Sequence, residues 1–353
     1  MPTVISIPVW GEEYFDLMNN LMIPSFLYSS KLLEAEYKKN ILDIHMDSLL
    51  IKKITKSKTF EEISKYYSIE LNEIDNSKIQ KARKDHRYKY QLYGELHYRS
   101  IQKSARYGFH CMPIAPDVIF TETLVQNIFK ISEEEKIIFQ TSLRIDKLED
   151  QNYSESTQQS KFNGRVTIRQ ARNLLENHLH REMYQYVVSR SNTNFSPQRL
   201  ILPFFKKTYL YNSDLHPVFI PVDLCKLVVN KLSGENIDGS IDSPVFTSVL
   251  INSAIRNGGL VVIDNDNLGF QLDITKPGSR SVAGISKTWK IKQILRHYVK
   301  ISKTQKYFYT RKIVLNNKIP VVNDGVFYTV YKIIFVIVLK IMSIFSSNHN
   351  YLR

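Results

Sequence analysis

The feature that most constrains the fold is an alternation of strand-like and helix-like segments over the first third of the chain. The strand-like segments are 4–9, 41–46 and 109–114, and the helix-like segments between them are 12–26, 49–67 and 85–107. Strands that alternate with helices form parallel sheets with helices on both faces. The sequence therefore predicts an α/β fold with a Rossmann-like, mostly parallel sheet covered by helices.

Later segments continue this pattern with weaker signals. Strand composition recurs at 136–143, 199–205 and 260–263. Pro203 lacks the N–H that a central strand needs, so the second of these is predicted to be an edge strand. Residues 169–188 contain helix formers and no Gly or Pro, which predicts a single helix, and the polar residues 146–161 predict a solvated loop.

The net charge of +14 is concentrated at one end of the chain. Residues 276–353 contain 15 Lys and Arg residues and a single acid, Asp324, so residues 1–275 are neutral overall. We therefore expect two regions, an α/β domain over 1–275 and a basic C-terminal region over 276–353. Two cysteines, Cys111 and Cys225, cannot form a disulfide framework and are typical of a reducing, cytoplasmic location. Residues 1–10 also lack the features of a secretory signal.

Candidate site residues fall at the predicted strand ends. Ligands of open α/β sheets bind beyond the carboxyl ends of the strands. Pro8–Gly11, Asp47 and Asp117 lie at such positions. An aromatic ring and two carboxylates could hold a base, a ribose and, through a bridging cation, a diphosphate. The alternative is that each aspartate only caps the helix that follows it.

The order and spacing of these residues over about 3–130 carry a family resemblance. It rests on the opening Ile5–Glu12 (ISIPVWGE), the strand before Asp47, the helix with Gly94 and His97, and Pro116-Asp117 after the next strand. Together they resemble the nucleotide-sugar-binding half of GT-A glycosyltransferases. The resemblance implies a GT-A-like fold and an enzyme that moves a sugar from a nucleotide-diphosphate sugar to an acceptor hydroxyl.

The resemblance also implies roles for individual residues. Val9, Trp10 and Gly11 would embrace the nucleotide, and Asp47 would contact its base. His97 lies on the helix that faces the nucleotide in this family. The implied partners are the nucleotide sugar and a glycan, a lipid-linked or a small-molecule acceptor.

Asp117 is the implied metal ligand, holding Mn²⁺ or Mg²⁺ on the diphosphate. The family's metal motif has two aspartates separated by one residue, whereas this chain has Ala115-Pro116-Asp117. The first carboxylate is missing, so a weakened or metal-independent site is the alternative.

Glycosyl transfer also needs a base for the acceptor hydroxyl. The candidates are His178, which has Glu182 four residues later, and Asp214 with His216 in a predicted loop. His178 and His180 would point away from each other in one helix, so at most one lines a site. The alternatives are a surface pair for His178 and a plain Asx-turn at Asp214.

Several other site types lack their sequence signatures. Asp264–Asn267 is interpreted as a turn, because the glutamate that completes an EF-hand calcium loop is missing. The sequence contains no Walker-type phosphate loop, zinc-ligand spacing or nucleophile-elbow motif.

The basic region ends in the mostly apolar segment 326–345, interrupted by Lys332 and Lys340. The pattern favours a helix lying at an anionic membrane surface, which would place the protein at the cytoplasmic face of the cell membrane. One alternative is a membrane-spanning helix, and another is a helix packed on the protein. A third is a binding site for single-stranded nucleic acid, formed by the basic and aromatic side chains of this region. A non-catalytic nucleic-acid- or membrane-binding protein is the alternative to the transferase.

Overall fold

The computed structural model describes residues 2–30, 39–146, 164–187, 197–204, 207–212, 215–232, 241, 243–256, 259–275, 290–309, 311–316, 333–334 and 336–342. The chain forms two compact units. Unit 1 comprises residues 1–140, 162–166 and 216–262, and unit 2 comprises 141–161, 167–215 and 263–353. This division differs from the boundary at residue 275 that the charge distribution suggests.

Unit 1 is built on a parallel sheet of the first four strands. These are β1 (Thr3–Val9), β2 (Ile41–Met46), β3 (Ser68–Glu73) and β4 (His110–Pro113), in the order β3-β2-β1-β4. Every neighbouring pair is parallel. Side chains on both faces of β1 are buried. Val4 and Ser6 lie on one face, and Ile5 and Ile7 lie on the other. The predicted parallel α/β architecture is confirmed.

A second group of strands continues this sheet beyond β4. β10 (His216–Phe219), β6 (Ile137–Gln140) and β11 (Leu260–Val262) are hydrogen-bonded in that order. β10 runs antiparallel to β6, and β11 runs parallel to it. An isolated antiparallel bridge between Cys111 and Ile220 joins β4 to the β10 side. The strands therefore follow the order β3-β2-β1-β4-β10-β6-β11, in which β10 runs against the others.

The helices of unit 1 fill the connections between its strands. They are α1 (Glu12–Leu17), a π-helix (Met18–Met22), α2 (Ile23–Ser30), α3 (Ser48–Ile54), α4 (Lys58–Ser64), α5 (Asn76–Lys84), α6 (His86–Tyr107), α7 (Leu124–Ser132), α10 (Val222–Lys231) and α11 (Pro244–Arg256), with the short strand β5 (Val118–Phe120) after β4. The two helices that lie between α7 and α10 in the chain, α8 and α9, belong to unit 2. The Asp85 side chain accepts hydrogen bonds from the first turn of α6, and Gly108 ends that helix at φ 73°. Polar N-caps and left-handed glycines define helix boundaries in this way, and α6 was predicted at nearly these limits.

Gly164 shows how tightly part of unit 1 is packed. A Cβ atom there would lie 2.1 Å from the carbonyl oxygen of Pro24, and φ is +76°. Gly108 has a similar φ of +73°, but nothing lies within 4 Å of its Cβ position. Both positions favour glycine because of the backbone, and Gly164 also requires it for space.

Unit 2 contains two further groups of strands and its own core. β7 (Ser142–Asp146) pairs in parallel with β12 (Gln271–Thr275), and β9 (Lys207–Asn212) pairs with β8 (Arg199–Phe204) and β13 (Ile313–Leu315). Its helices are α8 (Ile168–His178), α9 (Arg181–Tyr184), α12 (Lys290–Lys300) and α13 (Lys303–Tyr309). β8 lies at the edge of its sheet, as Pro203 predicts.

Two secondary-structure predictions for the central region were wrong. The single helix predicted over 169–188 ends at His178, and His180 instead caps a separate short helix by accepting a hydrogen bond from the Glu182 N–H. The continuous strand predicted over 136–143 is two strands, β6 and β7, separated at Thr141. The hydrophobic pattern reveals neither break, because both depend on contacts with distant segments.

The turn interpretation of 264–267 agrees with the structure. The Asn265 side chain accepts a hydrogen bond from the Asn267 N–H, and Asp266 is buried in an ion pair with Arg172 at 2.8 Å. The predicted loop 146–161 lies outside the described residues beyond Asp146.

Part of the apolar segment 326–345 is described, and it is helical at 333–334 and 336–342. Leu339 and Met342 are buried in a cluster with Leu200, Tyr211 and Ile294 of unit 2. These residues therefore pack on the protein, which the sequence left open as an alternative. Within the part of the chain that the structure describes, no helix is both long enough and apolar enough to cross a bilayer.

Candidate functional site

The strand order of unit 1 defines where a ligand crevice forms. The chain passes from β1 outward to β2 and β3, then returns to β4 on the other side of β1. Loops that leave neighbouring strands on either side of such a reversal diverge, and the gap between them binds ligands in open α/β sheets. The segments after β1 and β4 flank this point. The crevice is therefore expected beyond the carboxyl ends of these two strands.

Val9, Trp10 and Gly11 form the β1 side of this edge. Val9 is fully buried in the strand, and Trp10 is 9% exposed. The indole packs with Ile79 and Leu92 in a cluster between β1, α5 and α6. Most of the Trp10 ring surface is thus occupied by protein side chains, so little of it is available to a nucleotide.

Gly11 is the open position of this segment. Its φ is +89°, which L side chains rarely adopt, and no atom lies within 4 Å of its Cβ position. The backbone here is free to approach a ligand closely. Gly11 is therefore a better candidate than Trp10 for direct nucleotide contact.

Asp47 follows β2 at the same edge. Val9 pairs with Met46 in the last register position of the two strands, so Trp10 and Asp47 leave the sheet together. The Asp47 side chain caps α3, and its Oδ1 accepts a hydrogen bond from the Leu50 N–H at 2.9 Å. Asp47 is therefore a helix cap, as the alternative interpretation states. A contact with the nucleotide's base would use the second oxygen of its carboxylate.

Asp117 follows the parallel strand β4 to this edge, and His216 reaches it on the antiparallel strand β10. Ile114 donates its N–H to the Ser6 carbonyl at 2.9 Å, and the chain then continues past the sheet to half-buried Asp117. β10 runs antiparallel to β4, so its first residue, His216, lies at the carboxyl end of the parallel strands. His216 was predicted in a loop, but it begins a strand. The structure brings a carboxylate and an imidazole from distant parts of the chain to one edge.

Gln140 is a residue of this edge that the sequence analysis did not single out. It is the last residue of β6, pairs in register with His216 and is 1% exposed. Among the described residues, neither its Oε1 nor its Nε2 atom has a hydrogen-bond partner. A buried amide without partners is costly, which makes it a candidate for ligand recognition. The only sequence signal was a polar residue ending an apolar strand.

His97 lies inside unit 1 rather than at a surface. It is fully buried, its Nδ1 lies 2.8 Å from the Ser6 Oγ, and its ring packs edge-on against Tyr93 with centroids 4.5 Å apart. Burial, with a smaller effect of the nearby His45 charge, lowers the pKa of His97 to about 3. The imidazole is therefore neutral at physiological pH. It contacts β1 below the candidate edge, where it positions α6.

A buried polar network beside His97 fastens α6 to the sheet. Asp43 of β2 is fully buried and accepts hydrogen bonds from Ser100 at 2.5 Å and from Asn72 at 2.8 Å. Lys103 pairs with Asp43 and, at 2.6 Å, with Glu70. Burial alone would raise the pKa of Asp43, but hydrogen bonds from His45, Lys103 and Ser100 hold it well below its usual value.

This network has a structural role. The His45 Nε2 atom lies 3.1 Å from both Asp43 and Ser100, so one nitrogen serves both partners and the three do not form a catalytic relay. The network instead fixes α6, and with it the cluster around Trp10.

The described residues do not form a protein-held metal centre. No group of three or more His, Cys, Asp and Glu side chains among them is placed to bind one ion. Ala115 also removes the first carboxylate of the motif to which Asp117 belongs. Asp117 is therefore the one carboxylate that this motif offers in the chain.

The remaining catalytic candidates from the sequence are His178 and Asp214. His178 is the half-buried last residue of α8 in unit 2. Glu182, predicted to pair with it, instead forms an ion pair with Arg144 at 2.8 Å. Asp214 lies outside the described residues.

Comparisons with known proteins give distant similarities. No protein family's sequence profile matches the chain, and no curated protein matches it in sequence. S. aureus TarS is 11% identical with a TM-score of 0.36, over 88% of this chain and 43% of TarS. TarS 1–349 in complex with UDP is 9% identical with a TM-score of 0.36, over 88% of this chain and 71% of that one.

A putative glucose-1-phosphate thymidylyltransferase from Bacillus anthracis, in complex with a sucrose, is 10% identical with a TM-score of 0.36, over 86% of this chain and 99% of that chain. This chain therefore spans less than half the length of the full TarS chain. Similarities at these values carry no information about the activity of this chain.

Proposed function

We propose that the protein is a glycosyltransferase that takes a sugar from a nucleotide-diphosphate sugar and transfers it to an acceptor hydroxyl. The observation that carries the proposal is the convergence of Gly11, Asp47, Asp117 and His216 at one edge of unit 1. These residues follow β1, β2 and β4 or begin β10. Nucleotides bind at this position in open α/β sheets because the loops there leave a crevice.

Each residue at the edge has chemistry suited to one part of the reaction. The open backbone at Gly11 admits the nucleotide, and the second oxygen of Asp47 accepts a hydrogen bond from its base. Asp117 accepts hydrogen bonds from hydroxyl groups of the donor, since carboxylate oxygens are strong acceptors. His216 is the proposed base. It takes the proton of the acceptor hydroxyl as that oxygen bonds to the anomeric carbon and the diphosphate leaves with the electron pair.

Gln140 supports the proposal from the neighbouring strand. A carboxamide offers both a donor and an acceptor, which matches a sugar hydroxyl or the edge of a nucleobase. A ligand that reached this amide would satisfy two buried groups that lack partners among the described residues. Such groups give strong selectivity, because a ligand without matching polar atoms leaves them unpaired.

Calorimetry with uridine, guanosine and thymidine diphosphate sugars, each with and without manganese, tests the proposal. Asp117→Asn is expected to weaken donor binding roughly ten- to a hundredfold, the usual cost of losing hydrogen bonds to a charged group. Asp223→Asn is the matched control because this unit 1 carboxylate is 79% exposed on α10. His216→Ala is expected to leave donor binding intact and to abolish release of nucleoside diphosphate in the presence of acceptor.

Two results would refute the proposal. One is the absence of binding to every donor. The other is equal loss of binding in Asp117→Asn and Asp223→Asn, which would indicate a general charge effect. Tight binding of single-stranded RNA in place of any donor would instead favour the non-catalytic alternative.

A further inference from the structure

Two helical segments of unit 2 cover the same strands. Ile294 of α12 and Leu339 and Met342 of the helical residues 336–342 belong to one buried cluster with Leu200 and Leu202 of β8. The Tyr298 hydroxyl also donates to the Met342 carbonyl oxygen at 3.3 Å. Leu200 and Leu202 are two residues apart in a strand and therefore share one face of the sheet. The two helical segments thus lie on that face, and their opposite sides point away from it together.

The outer side of α12 carries an apolar row next to a basic row. Leu295 and Val299, which are four residues apart, are 42% and 74% exposed. Lys292, Arg296 and Lys300 are also exposed and follow the same four-residue spacing. At about 100° per residue, all five side chains fall within an arc of roughly 140°. This helix therefore presents apolar and positive groups on the same side.

The outer side of the C-terminal helical segment is more apolar still. Four isoleucines are between 44% and 51% exposed: Ile333, Ile334, Ile337 and Ile341. Helical geometry places them within an arc of about 100°, with exposed Lys340 at its border. Single exposed apolar residues are common on protein surfaces, but contiguous groups mark interaction sites.

We propose that these two outer sides form one membrane-binding face for bilayers containing anionic lipid. On α12 the face comprises Leu295, Val299, Lys292, Arg296 and Lys300, and on the C-terminal helical segment it comprises the four isoleucines and Lys340. Charge complementarity selects this partner. Residues 276–353 contain 15 bases and one acid, and cationic helices with an apolar side lie at anionic membrane interfaces. The isoleucines enter the boundary of the acyl chains, while the Lys and Arg side chains contact the headgroups.

Other partners fit this face less well. A second copy of the chain would bring like charges together, which opposes association. The phosphates of a nucleic acid would pair with the Lys and Arg side chains of this face but leave its isoleucines in water. This inference does not depend on the proposed transferase activity.

Vesicle co-sedimentation of the full chain tests the face. The vesicles are phosphatidylcholine alone or phosphatidylcholine with phosphatidylglycerol, and binding is expected only to the second. The variant Lys292→Gln/Arg296→Gln/Lys300→Gln removes three exposed basic side chains from α12. It is expected to lower the vesicle partition coefficient roughly a hundredfold. A matched variant removes three exposed bases from α5 and α6 of unit 1 and is expected to bind like the wild type: Arg83→Gln/Lys84→Gln/Arg87→Gln.

A second pair of variants tests the apolar part. Ile337→Ser/Ile341→Ser is expected to weaken binding roughly thirtyfold, because each side chain is about half exposed and so buries about half its area in the bilayer. Leu49→Ser, which alters an apolar side chain 72% exposed in unit 1, is the control and is expected to have no effect. Circular dichroism checks that each variant is folded.

Several results would overturn the inference: no binding to anionic vesicles at low salt, equal losses in the two triple variants, or unchanged binding in the isoleucine variant. Self-association that depends on the isoleucines without vesicle binding would assign the face to a second copy. RNA binding that survives the isoleucine changes, without vesicle binding, would assign it to nucleic acid.

Discussion

Acidification should destabilise unit 1 through His97. The pKa of His97 falls from 6.5 to about 3 on folding. Between pH 6.5 and about pH 3 the unfolded chain therefore binds a proton at this residue, and the folded protein does not. Stability is therefore complete above about pH 7 and is lost as the pH falls through 6.5 toward 3. At about 1.4 kcal/mol per pH unit, roughly 2 kcal/mol is lost by about pH 5.

The variant His97→Phe separates this effect from the other buried groups. Losing the hydrogen bond to Ser6 costs on the order of 1 kcal/mol at every pH, but the pH-dependent part disappears. The difference in unfolding free energy between the wild type and the variant should therefore change by about 2 kcal/mol between about pH 8 and pH 5. The wild type is expected to be the more stable protein by about 1 kcal/mol at pH 8, and the variant by about 1 kcal/mol at pH 5. Burial also lowers the pKa of His110 to about 4, and that contribution is common to both proteins.

Urea unfolding followed by the fluorescence of Trp10 is the assay. The chain has two tryptophans, so Trp289→Phe is introduced into every protein, leaving an indole packed on Tyr93 in unit 1. His86→Gln, which removes an exposed histidine from the same helix, controls for losing any imidazole. Parallel pH profiles for the wild type and His97→Phe would refute the reasoning.

Three further predictions concern stability. Lys103→Met leaves the buried carboxylate of Asp43 without its lysine. The free energy of unfolding, measured in urea at neutral pH, should fall by about 2–4 kcal/mol. A loss too small to measure would mean that the remaining hydrogen bonds are enough to stabilise the charged carboxylate. Gln140→Leu should leave unfolding unchanged or stabilise the protein by about 1 kcal/mol while abolishing donor binding, whereas a large loss of stability would show that the amide is satisfied in the folded chain. Gly108→Ala should cost about 1–2 kcal/mol for its left-handed backbone, and Gly164→Ala should cost several kcal/mol more; equal melting temperatures for the two would contradict the close contact described at Gly164.

The sequence predicted the part of the site that depends on local chain order. Gly11, Asp47 and Asp117 follow strands whose apolar patterns are short and distinct, and parallel strands bring such positions to one edge of a sheet. The helix His86–Tyr107 was equally clear because Asp85 and Gly108 mark its ends. Their roles in binding a nucleotide sugar remain predictions.

The sequence did not reveal the environment of each side chain. Trp10 and His97 suggested ligand contacts, but Trp10 is covered by α5 and α6, and His97 is sealed between α6 and β1. Asp43 and His45 alternate with apolar residues in β2, yet a helix about 55 residues further along the chain buries them. Which face of a strand is covered depends on such distant segments.

What the sequence determined by itself was the α/β class, the ends of β1, β2 and β4 and the basic character of residues 276–353. These follow from periodicity, capping residues and composition, which act over a few residues or add up along the chain. The tertiary structure alone decided that β10 carries His216 to the edge where Gly11 and Asp117 lie, and that exposed isoleucines lie beside a basic helix. Both depend on non-local pairing, whose free energy comes from packing between segments that no short stretch of sequence contains.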